Sequence, residues 1–341
     1  MNKGKERLVG LDLFRIGLAI LVLVFHSILH IGCNYGILGP FINMGAIAMT
    51  AFFMLSGYSL YYVYGDRIWG QGELNYFYKK RFIGVMPVYY VVAMLYVIFL
   101  GTESIWENLE LFPIEVLGIQ TVFTSLFSYS HNGGTWFISC IIFCYLLFPL
   151  LQMYLKEMEF KYKIYLILVC YGILLYSPIL VRKFELANIY SNPFFRIVEF
   201  FVGMILCSMN LKQKKYAKIS CIFEVLSLIA GVTILYKIGL PTDDYMLYSW
   251  VGLPVFSLML VTLSSIDIKD TKVVVYLSNI TYCVFLAQYF VWPIMKKIQV
   301  HRNLLKIVAM VTICFVIAVL LHEVVEKPAK RLLSKKLLYK V

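Results

Sequence analysis

Charge is scarce in this chain. Of its 341 residues only 15% are Asp, Glu, Lys or Arg, against about 25% in a soluble domain. Acids are the rarer sign, 19 against 31 bases. With 61% apolar residues and a mean hydropathy of +0.80, this excludes an ordinary soluble globule. Metal- and disulfide-type cysteine spacing is also missing. The eight cysteines (33, 140, 144, 170, 207, 221, 283 and 314) lie mostly inside apolar runs without a C-x-x-C. They read as small packing residues, and no metal site is expected, even where Cys140 and Cys144 share a helix face. No linker-like or low-complexity segment interrupts the chain, so one domain over 1–341 with no appended soluble domain is expected. No convincing internal repeat is present, which argues against a secondary transporter. The first apolar run is long, contains Arg15 and lacks a small-residue cleavage site, so no cleavable leader is expected.

What the chain does contain is a series of apolar runs: roughly 9–29, 43–64, 82–100, 136–155, 164–180, 193–210, 219–238, 245–265, 273–295 and 303–325. They predict an all-α polytopic bundle of about ten transmembrane helices. The net charge of +12 sits in short loops between these runs, which is the pattern of a membrane protein and not of a nucleic-acid binder. With the N-terminus inside, 22 of the 31 basic residues fall on inner segments and 7 on outer ones, Arg15 and Arg196 being intramembrane. Both termini are therefore expected in the cytoplasm of a multi-pass plasma (inner) membrane protein. The 296–306 segment runs against this pattern, with four basic residues on the outer side.

The stretch Leu11–His30 is apolar yet carries Asp12, Arg15, His26 and His30. Ionisable groups at membrane depth are costly and mark functional sites. Arg15 and His26 are eleven residues apart, which places them on one helix face about 16 Å apart along the axis. Two readings fit. In one, Asp12 and Arg15 pair near the cytoplasmic end and His26 is a neutral, hydrogen-bonded histidine. In the other, Arg15 holds an anion and His26 accepts a proton, a task suited to a side chain with an unperturbed pKa of about 6.5.

Further along, Phe52-Phe53-Met54-Leu55-Ser56-Gly57-Tyr58-Ser59 permits either close helix packing or a local break that lines a cavity. Packing is the favoured reading. A cytoplasmic loop holding Tyr76-Phe77-Tyr78-Lys79-Lys80-Arg81 is either a surface anchor or a phosphate site. The 101–135 segment carries Glu103, Glu107, Glu110 and Glu115. Its run Ile114–Phe127 lies at the interface or re-enters, and it ends in Ser130-His131-Asn132-Gly133-Gly134. Arg196 and Glu199 are expected to form a structural ion pair. Asn279, Thr281, Tyr282 and Gln288 make one helix partly polar, and His322, Glu323 and Glu326 read as capping charges beside Lys327-Pro328.

These pieces resemble the acyltransferase 3 family of integral membrane acyltransferases over nearly the whole chain. The most specific element is Arg-x10-His, Arg15 to His26. Phe52-Phe53 with Ser56-Gly57-Tyr58, the Tyr78–Arg81 segment ahead of Pro87, Trp136-Phe137, Arg196–Gly203, Leu277–Tyr282 and Glu326-Lys327-Pro328 follow in the expected order. Where the family often has a second arginine before the proline, this chain has Gly84. Gln288 replaces a usual histidine, so no acid–base role falls to it, and the Trp-Ser-Leu pattern with a following Glu is absent after Trp136.

The resemblance implies transfer of an acyl group, usually acetyl, from cytoplasmic acyl-CoA to a hydroxyl of an extracytoplasmic polysaccharide or lipid-linked sugar. Acyl-CoA is then a donor substrate and not a permanently bound cofactor. The expected roles are CoA phosphate binding by Lys79, Lys80, Arg81 and Arg15, proton acceptance by His26, and oxyanion stabilisation by Ser56, the backbone near Gly57 or Arg15. The alternative on the same scaffold is a polysaccharide export or transport protein.

Overall fold

The computed structural model describes residues 5–101, 103–122, 135–186, 189–212, 215–239, 245–298 and 300–338. Among these the chain is helical, with no strand. The helices in order are α1 Val9–Ile31, α2 Gly39–Asn43, α3 Ala48–Tyr64, α4 Gln71–Phe99, α5 Ile105–Leu117, α6 Thr135–Lys156 and α7 Phe160–Leu175. They continue as α8 Ser177–Lys183, α9 Pro193–Ser208, α10 Ala217–Lys237, α11 Tyr245–Ser265, α12 Lys272–Ile298, α13 Asn303–Leu320 and α14 Lys327–Leu338. A six-residue π-helical turn, Leu321–Glu326, joins α13 to α14.

Among the described residues, eight helices are long and apolar enough to cross a membrane, or nine if α7 and α8 together make one span bent by 54°. The bend has a local cause. Pro178 brings no N–H to the carbonyl of Leu174, and the Ser177 hydroxyl takes that carbonyl instead at 2.6 Å. The run at 193–210 becomes α9, whose 16 residues give about 24 Å, short of a hydrocarbon core of about 30 Å. Asn192 caps it by accepting the Phe194 N–H at 3.0 Å, and Pro193 opens its first turn. Residues 114–117 of the moderately apolar run close α5, whose last carbonyls are met at Gly118 (φ +66°). The rest of that run beyond Val122, and Ser130 to Gly134, lie outside the described residues.

The chain divides into two compact units. The first takes the described residues of Met1–His26, Asn34–Ile68 and Leu147–Asn279, and the second those of Ser27–Cys33, Trp69–Leu146 and Ile280–Val341.

The first unit is built on the contact of α3 with α9. A Cβ placed on Gly57 would lie 1.9 Å from the Phe200 carbonyl oxygen, and one on Gly203 would lie 1.8 Å from that of Met54. Only hydrogen at both positions lets the two backbones touch. Polar side chains tie the remaining helices to this pair. Tyr58 donates to Ser264 on α11 at 2.8 Å, and Lys163 at the start of α7 donates to the Ser208 carbonyl at 3.2 Å. Thr262 of α11 donates to Glu224 of α10 at 2.7 Å. Each of these three donors meets an acceptor, as a low-dielectric interior favours.

In the second unit α4 is the hub. Tyr282 of α12 donates to the Val85 carbonyl at 2.9 Å, Tyr78 to the Leu146 carbonyl of α6 at 3.0 Å, and Tyr90 to the Val116 carbonyl of α5 at 2.6 Å. Gln120 donates to the Tyr89 hydroxyl at 2.8 Å and accepts from Ser139 at 2.9 Å, a fully buried chain of amide and hydroxyl groups.

Candidate active site

The first turns of α1 hold a network around Asp12. Its carboxylate is buried and accepts from the Ser278 hydroxyl at 2.6 Å, from Arg7 Nε at 2.5 Å and from Arg15 Nη1 at 3.4 Å. Arg15 Nη1 also lies 3.2 Å from Ser278 Oγ, and Nη2 lies 3.5 Å from Ser59 Oγ. The Asp12–Arg15 pair of the first reading is present, then, within a cluster of five side chains. The Arg15 side chain keeps 31% of its surface exposed against 9% for Asp12, so the cation sits at the edge of the cluster while the carboxylate is enclosed by it.

His26 lies on the same continuous helix, about 16 Å along the axis and on the face that carries Arg15. It is half-buried, with its ring centroid 5.2 Å from that of Phe25, while Ala19 and Val22 between Arg15 and His26 are buried. Ser56 is half-buried on α3 beside Gly57. Gly57 serves the close packing that the sequence favoured, and the α3 hydroxyl that meets Arg15 is that of Ser59, three residues on.

Arg196 and Glu199 form the expected ion pair at 2.7 Å, 1% and 0% exposed. Thr50 donates to Glu199 at 2.8 Å, the Tyr190 carbonyl accepts from Arg196 Nε at 2.8 Å, and the rings of Phe53 and Tyr190 lie 5.5 and 5.2 Å from the guanidinium carbon. A charge pair so fully enclosed and hydrogen-bonded is scaffold.

The basic segment Lys79-Lys80-Arg81 is helical, not a loop. The Gly70 N–H donates to the Glu73 carboxylate at 3.0 Å, which caps the start of α4 at Gln71 and puts the segment in its third turn. Successive side chains then diverge by about 100°. Lys79 and Arg81 line a cavity of about 350 Å³ walled by Phe82, Met86, Ile142 and Tyr145 among others. Lys80 is not in that lining and lies 5.7 Å over the Tyr76 ring. The Arg81 guanidinium carbon sits 5.8 Å from the centroids of both the Phe77 and Tyr145 rings, within reach of cation–π attraction to each. A slot with apolar walls and two cations suits a ligand with an anionic head and a thin apolar body.

The Acyltransferase domain family matches residues 8–323. This chain belongs to the acyltransferase 3 family. No curated protein and no solved structure matches it. As a member it is a membrane acyltransferase.

Within this acyltransferase several quoted segments acquire a physical role. Ser278, from the Leu277–Tyr282 segment, bridges Asp12 and Arg15. The Arg196–Gly203 segment supplies both the enclosed ion pair and the glycine that meets Met54. The charges at the end of the last span are a correction to the capping expectation. Glu323 does pair with Lys327 at 2.7 Å on the surface, but His322 and Glu326 are buried. His322 Nδ1 is 2.6 Å from Glu326 Oε2, Cys283 donates to the same oxygen at 3.3 Å, and Lys330 pairs with Oε1. Cys283 lies 39 residues before His322, and no spacing rule joins residues so far apart.

Proposed function

We propose that this acyltransferase moves an acyl group, acetyl in the simplest case, from acyl-CoA on the cytoplasmic side to a hydroxyl of an extracytoplasmic polysaccharide or lipid-linked sugar. It would do so in the plasma membrane with both termini in the cytoplasm. The observation that carries the reading is the α1 stripe: a guanidinium held by Asp12, Ser59 and Ser278, and an imidazole three turns further along the same face.

In the proposed reaction a ring nitrogen of His26 accepts the proton of the acceptor hydroxyl. The hydroxyl oxygen bonds to the thioester carbonyl carbon, and the negative charge of the tetrahedral intermediate meets a donor, for which Ser56 and Arg15 are the candidates. Collapse breaks the C–S bond, and the departing CoA thiolate takes the proton back from the imidazolium. The ester is formed and His26 returns to its neutral state. Lys79 and Arg81 hold CoA phosphates at the cavity that they line, with Lys80 adding charge nearby. Arg15, part-exposed, contributes its positive charge to the donor substrate.

The test is transfer from labelled acyl-CoA to a glycan acceptor by purified protein. His26→Ala is expected to abolish transfer while membrane insertion and detergent extraction persist. Transfer at the normal rate by that variant would remove the assignment. A wild-type protein that neither binds nor hydrolyses acyl-CoA would point to export in place of acyl chemistry.

A further inference from the structure

We propose that Cys283, His322 and Glu326 form a binding site for a single transition-metal dication of the zinc class. The three side chains are buried, and one ligand atom from each lies within 4.8 Å of the others. Thiolate, imidazole and carboxylate are the three ligand types that zinc takes, and three protein ligands leave one coordination position open.

The local geometry is already close to what coordination needs. Around tetrahedral zinc, nitrogen and oxygen ligands about 2.0 Å from the metal stand about 3.3 Å apart, and a sulfur and an oxygen about 3.5 Å apart. Here the sulfur-to-oxygen distance is 3.3 Å and the nitrogen-to-oxygen distance 2.6 Å. Admitting an ion requires His322 and Glu326 to part by about 0.7 Å. The ion would replace two hydrogen bonds that now converge on Glu326 Oε2.

Two further features favour a ligand. His322 and Glu326 stand four apart in a π-helical turn, Leu321–Glu326. Such turns are rare and concentrate at functional sites. Their wider winding aligns residues four apart more closely than an α-turn does. In addition, Lys330 binds Oε1, the carboxylate oxygen that the other two side chains leave alone. That is the position of an outer partner that orients a metal-binding carboxylate. Uptake of the dication would release the Cys283 thiol proton, since the thiolate is the ligand. The ion would fasten α12 to the junction of α13 and α14. This site is independent of the acyl-transfer reading and lies on residues given no role in it.

The experiment titrates the full-length protein in detergent micelles with Co²⁺, followed by Zn²⁺. One equivalent of Co²⁺ is expected to give a sulfur-to-cobalt charge-transfer absorption that Zn²⁺ abolishes. Cys283→Ser is expected to lose the band and Cys140→Ser to keep it, while His322→Gln weakens binding at least tenfold. If Cys283→Ser does not fold, alkylation of the wild type decides. Zn²⁺ should slow maleimide labelling of the Cys283 peptide, read by mass spectrometry, and leave the Cys221 peptide unchanged. A wild type with no charge-transfer band, a band that survives in folded Cys283→Ser, or Cys283 labelling indifferent to Zn²⁺ would each overturn the site.

Discussion

Replacing Gly203 by alanine tests the contact on which the first unit is built. The added methyl carbon would sit 1.8 Å from the Met54 carbonyl oxygen, with the Met54 carbonyl carbon at 2.7 Å. Real carbon–oxygen contacts stay beyond about 3 Å, so α3 and α9 must separate by more than an ångström along that seam. No rotamer change relieves the clash, because both partners are backbone. Overpacking of this kind costs about 1–3 kcal/mol and occasionally more, and about 1.4 kcal/mol is a factor of ten in the folding equilibrium. Gly57→Ala meets the Phe200 carbonyl at 1.9 Å and is expected to cost a similar amount. The double variant should cost less than the sum, since one separation accommodates both methyl groups. Gly17→Ala is the control, because nothing lies within 4 Å of its added carbon, and it should stay within about 0.5 kcal/mol of wild type. The assay is reversible unfolding in mixed micelles by denaturing detergent, comparing midpoints across the four variants. A Gly203→Ala protein that unfolds at the wild-type midpoint would refute the reasoning.

Glu199→Ala leaves Arg196 buried without its carboxylate and is expected to cost about 3–5 kcal/mol, whereas Arg196→Met with Glu199→Leu should recover most of the loss; the same unfolding assay reads both. Lys79→Ala and Arg81→Ala are each expected to raise the KM for acyl-CoA about tenfold, the worth of one hydrogen bond to a charged group, with kcat nearly unchanged. Lys80→Ala, outside the cavity lining, should change KM less. Ser104 holds the Glu107 carboxylate through its backbone N–H at 2.7 Å, which lowers the Glu107 pKa. A lowered folded-state pKa stabilises above the unfolded value of about 4.3 and is lost as pH falls through the folded value. Protection of the amides in the first turn of α5, taken as the unstructured-peptide exchange rate relative to the observed rate at the same pH, should therefore fall as the solution is acidified below about pH 4.3, and Glu107→Gln should flatten that dependence.

The helices and the α1 stripe were legible because each depends on residues close in sequence. Apolar runs of spanning length announced most of the helices, and a spacing of eleven residues placed Arg15 and His26 on one face. The Arg196–Glu199 pair was equally local, one helical turn apart. Two misreadings have physical causes. Lys79, Lys80 and Arg81 read as a loop because they precede the apolar run, yet the Gly70–Glu73 hydrogen bond starts the helix eleven residues upstream of Phe82. The charges at 322–326 read as caps because nothing near them in the chain reveals that Cys283 lies beside them. Ser278 stands out in the sequence only as part of a motif, and its bridge between Asp12 and Arg15 spans more than 260 residues of sequence. Partners of that kind become visible only when the helices are assembled.

The seam where α3 and α9 meet leaves no cushion of side chains to slide on. Such a pair behaves as one stiff plank, and a carbonyl lodged against a bare α-carbon resists both twisting and lengthwise slip. Whatever breathing motion lets a bulky donor or acceptor in and lets product out must then be borne by other helices, with Ser56 and Ser59 riding on the part that stays still.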